Sequence, residues 1–244
     1  MTRDEALRRL RALGLAEVDV QTLYDHFDDS ERRGKLGHGH SRIEWLETVE
    51  VDPAAEPIVA VADDAYERWQ GGGALGYLVL ARVVRGLLER PPARARLVVC
   101  EDTFPTGALG WYARRLAEGG LVAVLTATSP RRLRHPDGGE PLTGTNPLAI
   151  AIPSSDGRPL VADVSMGAIT WGDVIAGRAD ASALVPFGDE QAHKAFALAA
   201  GLQLLVDSLA GPRHGAVLLA ARPEHDPVPA FRALAAGVRL PGDA

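Results

Sequence analysis

The chain has 244 residues, 46% apolar and 24% charged, with a net charge of −6, the balance of an ordinary globular protein. The acidic balance argues against a nucleic-acid partner, and a single cysteine excludes a disulfide framework or a multi-cysteine metal site. No apolar run approaches the ~18 residues of a membrane span, and the charged start MTRDEALRRLRALG lacks a signal-peptide core, so a cytoplasmic location is expected.

In chain order, Thr2 and Glu5 have capping-box spacing, and Leu7, Leu10 and Leu13 mark a first helix that Gly14 ends. Val20, Leu23, Tyr24 and Phe27 stripe a second. A turn rich in glycine and histidine follows, RRGKLGHGHSR. Residues 57–62 read as a strand, and a glycine triplet at 71–73 leads into a helix over 75–88 that Pro91 and Pro92 stop. Strands are expected at 96–100 and 121–126, around a helix over 110–118. Residues 129–143 read as a polar loop, then strands at 146–153 and 160–164. The helix over 195–209 is apolar all round and is expected to be central; a strand at 217–221 and a helix over 228–236 close the chain. The alternation predicts an α/β fold, one domain over 1–244 with a mixed central sheet flanked by helices.

Several chemistries are set aside. The glycine cluster 71–76 follows DAYERWQ, which does not read as a buried strand, so a Rossmann dinucleotide fingerprint is rejected. There is no phosphate loop and no nucleophile elbow. His38 and His40 lack a third ligand, and no metal is expected; His135, His214 and His225 read as solvated loop residues. The basic residues are 24 arginines and only two lysines, Lys35 and Lys194, which raises a question about each lysine.

Four blocks resemble the malate/L-lactate dehydrogenase family of the non-Rossmann type, which includes sulfolactate and ureidoglycolate dehydrogenases and cyclic imino acid reductases. GHGHSR at 37–42 is similar to the family's S-H-G-x-x-R turn, with Gly37 in place of the serine. GALG at 73–76 is similar to a G-x-L-G helix start; GTNP at 144–147 precedes a strand, with Asp163 on the next. GDEQAHKAF at 188–196 matches a helix start through Lys194, and RLPGD at 239–243 is similar to a late R-x-P-G-E motif. The chain is shorter than its relatives, and Pro105 or Thr106 stands where they place a second histidine.

The resemblance implies a non-Rossmann dehydrogenase fold, a homodimer and an NAD- or NADP-dependent oxidoreductase acting on a small 2-oxo acid or a cyclic imine carboxylate. The residues fit this chemistry. His38 suits proton transfer because imidazole titrates near neutrality, and Asp163 would orient it. Arg42 suits a substrate carboxylate through its planar fork, with Asn146 beside the substrate. Thr126 and Thr128 are strand-end polar groups, and Lys194 at a helix start suits a cofactor phosphate. The resemblance adds Ser165, His193, Pro241 and Gly242 to the cofactor contacts. Arg131, Arg132 and Arg134 are candidates for an NADP 2′-phosphate, and the apolar helix with Trp45 and Trp111 suits a dimer contact. The alternative is a degenerate relative that binds a nucleotide or small acid without redox turnover, or a non-redox enzyme reusing the site. Without the resemblance, GHGHSR, GTNP, Asp163 and Lys194 also read as ordinary turn and surface residues.

Overall fold

Three helices open the chain, α1 (Arg3–Arg11), α2 (Glu17–Arg32) and α3 (Ser41–Leu46). The Thr2 hydroxyl accepts the Glu5 N–H at 3.3 Å and starts α1. Their apolar stripes, with Leu10, Phe27, Ile43 and Leu46 fully buried, close on Tyr77 and Leu78 of α4 (Gly76–Glu89) as a separate cluster. The computed structural model describes residues 1–243.

The strands are β1 (Ile58–Ala62), β2 (Tyr66–Gln70), β3 (Ala95–Glu101), β4 (Val122–Ala127), β5 (Leu133–His135), β6 (Gly138–Thr143), β7 (Leu148–Ile152), β8 (Leu160–Val164) and β9 (Ala216–Ala221). Seven form one sheet in the order β1-β2-β3-β9-β4-β7-β8, while β5 and β6 pair as a hairpin. Only β2 and β3 are parallel, joined by the α4 crossover. The remaining helices are α5 (Leu109–Glu118), α6 (Trp171–Ile175), α7 (Ala192–Ala210) and α8 (Val228–Leu234).

Period-two alternation divides the sheet's faces. Val98 and Cys100 of β3 join the core under α4 and α5, while Val99 meets Val206 and Ala210 of α7 on the other side. The face under α5 is built of small residues, Ala123, Ala127, Ala149, Ala151, Ala216 and Ala220. Large side chains of α5, among them Leu109, Trp111, Tyr112 and Leu116, fill the space those alanines leave. This seats the start of α5 against the ends of β7 and β8, where the site forms.

Four local expectations are corrected. Residues 66–70 are a strand after all, because Arg68 and Glu67 find ion-pair partners in Glu101 and Arg96 that let a polar sequence enter the sheet. A strand–glycine–helix unit therefore exists, but it has no room for a phosphate. A Cβ on Gly71 would lie 2.0 Å from the Asp102 carbonyl, and one on Gly76 within 2.9 Å of the Thr103–Pro105 backbone. The glycines admit the chain's own backbone where a dinucleotide fold admits pyrophosphate. The polar segment 129–143 is the β5–β6 hairpin rather than a loop, with Leu133 buried. The helix α7 is not central: its buried stripe is Ala192, Ala195, Ala199, Gln203, Val206 and Ala210, and Leu198, Leu204 and Leu205 are exposed. Trp111 is a core residue, not a surface one, with Arg115 stacked 3.9 Å from its ring centre.

Candidate active site

After α2 the chain makes a short 3-10 turn, Leu36–His38, before α3 begins. That turn carries His38. Its Nδ1 is shut off from solvent and has no hydrogen-bond partner. Burial, and next the neighbouring Arg42 cation, push the His38 imidazole down to about 4, while the Asp163 charge pulls the other way. His38 is therefore neutral near pH 7 without a ligand. Arg42 is buried; its Nε donates to the Gly37 carbonyl at 2.8 Å, and it stacks 5.3 Å from the Trp45 ring centre.

Gly37 stands where the resembling family has serine. A Cβ there would lie 2.2 Å from Thr170 Oγ1 and 3.1 Å from either Asp173 carboxylate oxygen. The space a serine side chain needs is filled by the Thr170 hydroxyl. Thr170 caps α6: its hydroxyl accepts the Asp173 N–H at 3.2 Å and donates to Asp173 Oδ2 at 2.7 Å.

Asp163, on β8, has a side chain only 10% exposed and is ion-paired with Lys35. Its side chain lies against the bare backbone of Gly110, where a Cβ would come within 2.7 Å of Oδ2. No hydrogen bond joins Asp163 to His38 among the described residues, so the expected direct orientation of His38 by Asp163 is corrected: Lys35 has taken the carboxylate.

Three cavities adjoin. The innermost, about 140 Å³, is lined by His38, Arg42, Thr128, Arg132, Ser165 and Thr170, among others. A second, about 310 Å³, shares His38, Ser165 and Thr170 and adds Lys35, Asp163 and Asp173. The third, about 380 Å³, shares Lys35 and Asp163 and is walled by Arg32, Arg33, Arg114, Pro241 and Gly242. Arg33 is engaged by Asp29 at 3.0 Å. Arg114 is half-buried, its Nε is buried without a partner, and its Nη1 reaches only the Gly242 carbonyl, at 3.5 Å. Burial, then the Arg33 charge, lower its affinity for its own proton, while the Asp29, Glu118 and Asp163 charges pull the other way.

The sequence expectations sort accordingly. His38, Arg42 and Ser165 meet on the inner cavity, Asp163 joins His38 on the second, and Pro241 and Gly242 line the third. Thr128 lines the inner cavity, though its hydroxyl already accepts the Gly215 N–H at 3.0 Å. Thr126 is corrected to a structural role, because its buried hydroxyl donates to the Pro147 carbonyl at 2.9 Å. Asn146 is likewise structural: fully buried, it donates to the Ala199 carbonyl at 2.9 Å and to Gln203 Oε1 at 3.0 Å, tying the GTNP turn to α7. Its neighbours Thr145 and Pro147 reach the cavity wall instead. His193 and Lys194 are exposed at the start of α7 and line none of the three cavities.

Four contributors escaped the sequence reading. Lys35 stands out in the sequence only as one of two lysines, and Thr170 carries no signal there. Arg132 was read toward the cofactor, yet it faces Arg42 across the inner cavity. His26 is buried among Phe27, Tyr77, Trp111 and Tyr112. Its Nε2 accepts the Ala108 N–H at 3.1 Å, fixing the 107–108 turn against the site.

Residues 2–180 match the family model for malate/L-lactate dehydrogenase. The (2R)-3-sulfolactate dehydrogenase (NADP(+)) of Chromohalobacter salexigens is 29% identical over 86% of this chain and 71% of its own length. The Δ1-pyrroline-2-carboxylate/Δ1-piperideine-2-carboxylate reductase of Pseudomonas aeruginosa is also 29% identical, over 90% of this chain and 75% of its own. The fold is that of the Δ1-piperideine-2-carboxylate reductase crystal structure from Pseudomonas syringae, with a TM-score of 0.82 at 24% identity over 98% of this chain and 89% of that one. With the family model spanning well over half of its length, the chain is a member of the malate/L-lactate dehydrogenase family.

Proposed function

We propose that the protein is an NAD(P)H-dependent oxidoreductase that reduces a small 2-oxo acid or a cyclic imine carboxylate, or runs the reverse oxidation. One observation carries the reading: a half-buried histidine, its Nδ1 shut off from solvent, and a buried, carboxylate-free arginine share an inner cavity that adjoins, past Lys35 and Asp163, a larger one with several arginines in its wall. Family membership and the names of the relatives support it.

The donor set suits a dinucleotide. Arg114, with its orphaned Nε, offers positive charge to a phosphate beside the Pro241–Gly242 backbone, while Arg33 and Lys35 on the same wall are held by Asp29 and Asp163. Ser165 stands at the junction of the two inner cavities. When bound, the reduced nicotinamide supplies a hydride to the substrate's C2. The balance is 2-oxo acid, reduced nicotinamide and one proton giving 2-hydroxy acid and oxidised nicotinamide.

Arg42 holds the substrate carboxylate through its fork, and Trp45 keeps the guanidinium plane in place. His38 delivers the proton to the oxygen that forms at C2. A carboxylate on Arg42 cancels part of the charge that holds His38 down, so substrate itself raises the fraction of His38 carrying the needed proton. The Thr170 hydroxyl, in the space of the absent serine, lines the same cavities as His38.

The oligomer belongs to the same reading. A homodimer that covers Leu198, Leu204 and Leu205 of α7 accounts for an apolar surface that a monomer leaves in water. Light scattering on the eluting protein tests it; a monomer at micromolar concentration refutes it.

The activity is tested by following nicotinamide absorbance with NADH and NADPH against 2-oxo acids and Δ1-piperideine-2-carboxylate. Turnover that falls about 10²–10⁴-fold in His38→Ala supports the assignment. Calorimetric binding of NADPH without oxidation by any of these substrates refutes turnover and favours the degenerate-relative alternative.

A further inference from the structure

Most of the partly buried cations of this chain are ion-paired; the exceptions are Arg114 on the outer cavity and two arginines that share the inner one. Arg33, Arg68, Arg82, Arg96 and Lys35 all have carboxylate partners. Arg42 and Arg132 have none among the described residues, although Arg42 is only 9% exposed and Arg132 is half-buried. Both line the same small cavity, and no carboxylate lines it with them. A buried guanidinium without a counter-ion is costly, and two facing each other cost more. Burial and the Arg42 charge together push the Arg132 guanidinium down, the sign of mutual repulsion across the cavity.

The two forks are also held ready. Arg132 stacks 4.0 Å from the Trp171 ring centre and Arg42 5.3 Å from that of Trp45. Stacking fixes each guanidinium plane; Arg42 spends its Nε–H on the Gly37 carbonyl, and its Nη groups and the Arg132 fork have no hydrogen-bond partner among the described residues. Around them are hydroxyls of Ser129, Thr145, Ser165 and Thr170 and the neutral His38. This is a donor-rich cavity with an excess of positive charge.

We propose that the inner cavity selects a compact dianionic 2-oxo acid, with its C1 carboxylate on Arg42 and a second anionic group, carboxylate or sulfonate, on Arg132. This rests on the proposed oxidoreductase reading and chooses among its substrates. A cyclic imine carboxylate has one anionic group, and its protonated nitrogen adds a third cation to a space with no carboxylate to offset it. A simple monoacid satisfies Arg42 and leaves Arg132 uncompensated. At about 140 Å³ the cavity is far below the ~300–1,000 Å³ typical of drug-sized ligands, which favours a short chain.

The test compares kcat/KM for oxaloacetate and sulfopyruvate with that for pyruvate and Δ1-piperideine-2-carboxylate. The dianions are expected to lead by about 10- to 100-fold, the size of one charge-assisted contact. Arg132→Met should cut the oxaloacetate-to-pyruvate ratio by about tenfold or more, and Arg132→Lys should restore part of it. Equal or reversed preference in the wild type, or an unchanged ratio in Arg132→Met, overturns the proposal while leaving the oxidoreductase reading intact. Should Arg132→Met not fold by circular dichroism, Arg132→Lys alone must still lower the ratio, and an unchanged ratio there overturns it too. If no substrate turns over, the oxidoreductase reading has failed. The dianion site is then decided by calorimetry of malonate against acetate on the wild-type protein: malonate binding at least about tenfold tighter supports it, and equal affinities overturn it.

Discussion

Replacing Lys35 by Met removes the only ion-pair partner of the Asp163 carboxylate among the described residues while keeping the lysine's apolar stem. Breaking a fully buried pair from one side costs about 3–5 kcal/mol, and an exposed pair about 0–1 kcal/mol. Asp163 is 10% exposed but Lys35 is 37% exposed, so water shares in the pair and about 1–2 kcal/mol is expected. At this chain length each kcal/mol moves the midpoint by about 2–4 °C, so Tm should fall by about 2–8 °C. Asp163→Asn alone should cost a similar amount, but the double variant should cost less than the sum, with a coupling of about 1 kcal/mol or more. The assay is a thermal and urea double-mutant cycle at pH 7. His38 supplies a second readout, because the Lys35 charge lowers its pKa and the Asp163 charge raises it. Its NMR titration should move upward in Lys35→Met. Strict additivity in the cycle together with an unmoved His38 titration would refute the reasoning.

Further outcomes follow from neighbouring contacts. Folded His38 titrates at about 4 and the unfolded chain's histidine near ~6.5, so the unfolded state binds the extra proton first. Its contribution to stability is whole above pH ~6.5 and is lost as pH falls toward about 4, by ~1–3 kcal/mol; His38→Gln should remove that slice from the pH–stability curve, and a curve parallel to wild type would contradict it. Gly37→Ser, which puts back the family residue, should lower stability by about 1–2 kcal/mol because Thr170 fills its space, and Thr170→Ala should rescue it; a neutral single variant would show that the space is open. Asn146→Ala loses two buried hydrogen bonds and should cost about 2–3 kcal/mol in urea unfolding, whereas a loss confined to KM would return Asn146 to the substrate.

What the sequence made legible follows from how local each signal is. The helices α1, α2, α4 and α5 were marked by stripes and stop residues, and β3, β4, β7, β8 and β9 by short apolar runs, all close to their observed positions. β2 was hidden because its charged residues find their ion-pair partners on β3, some thirty residues on. The helix α7 was misplaced because composition does not distinguish a helix buried all round from one that leaves leucines on a surface. In the site, GHGHSR announced His38 and Arg42 as a motif. The places of Lys35, Thr170 and Arg132 in the site were not legible, since their meaning lies in what stands opposite them: a carboxylate on β8, a missing side chain at Gly37 and a second unpaired arginine.

The placement of β9 sets the order in which the molecule can be made. Residues 216–221 form the strand between β3 and β4, pairing antiparallel with both from Ala216 to Ala221. Until they leave the ribosome, β1-β2-β3 and β4-β7-β8 are two half-sheets with no hydrogen bonds between them. The gap from Ala127 to Ala216 is 89 residues, about 4–18 s of synthesis at roughly 5–20 residues per second. Through that interval two unpaired strand edges of apolar sequence stand open, each a template for a neighbouring chain. Closure then depends on contacts more than a hundred residues apart along β3 and β9, the kind that makes folding slow. A chain halted before residue 216 is a client for chaperones rather than a smaller enzyme, and yield during expression will track the time spent in that open-edged state.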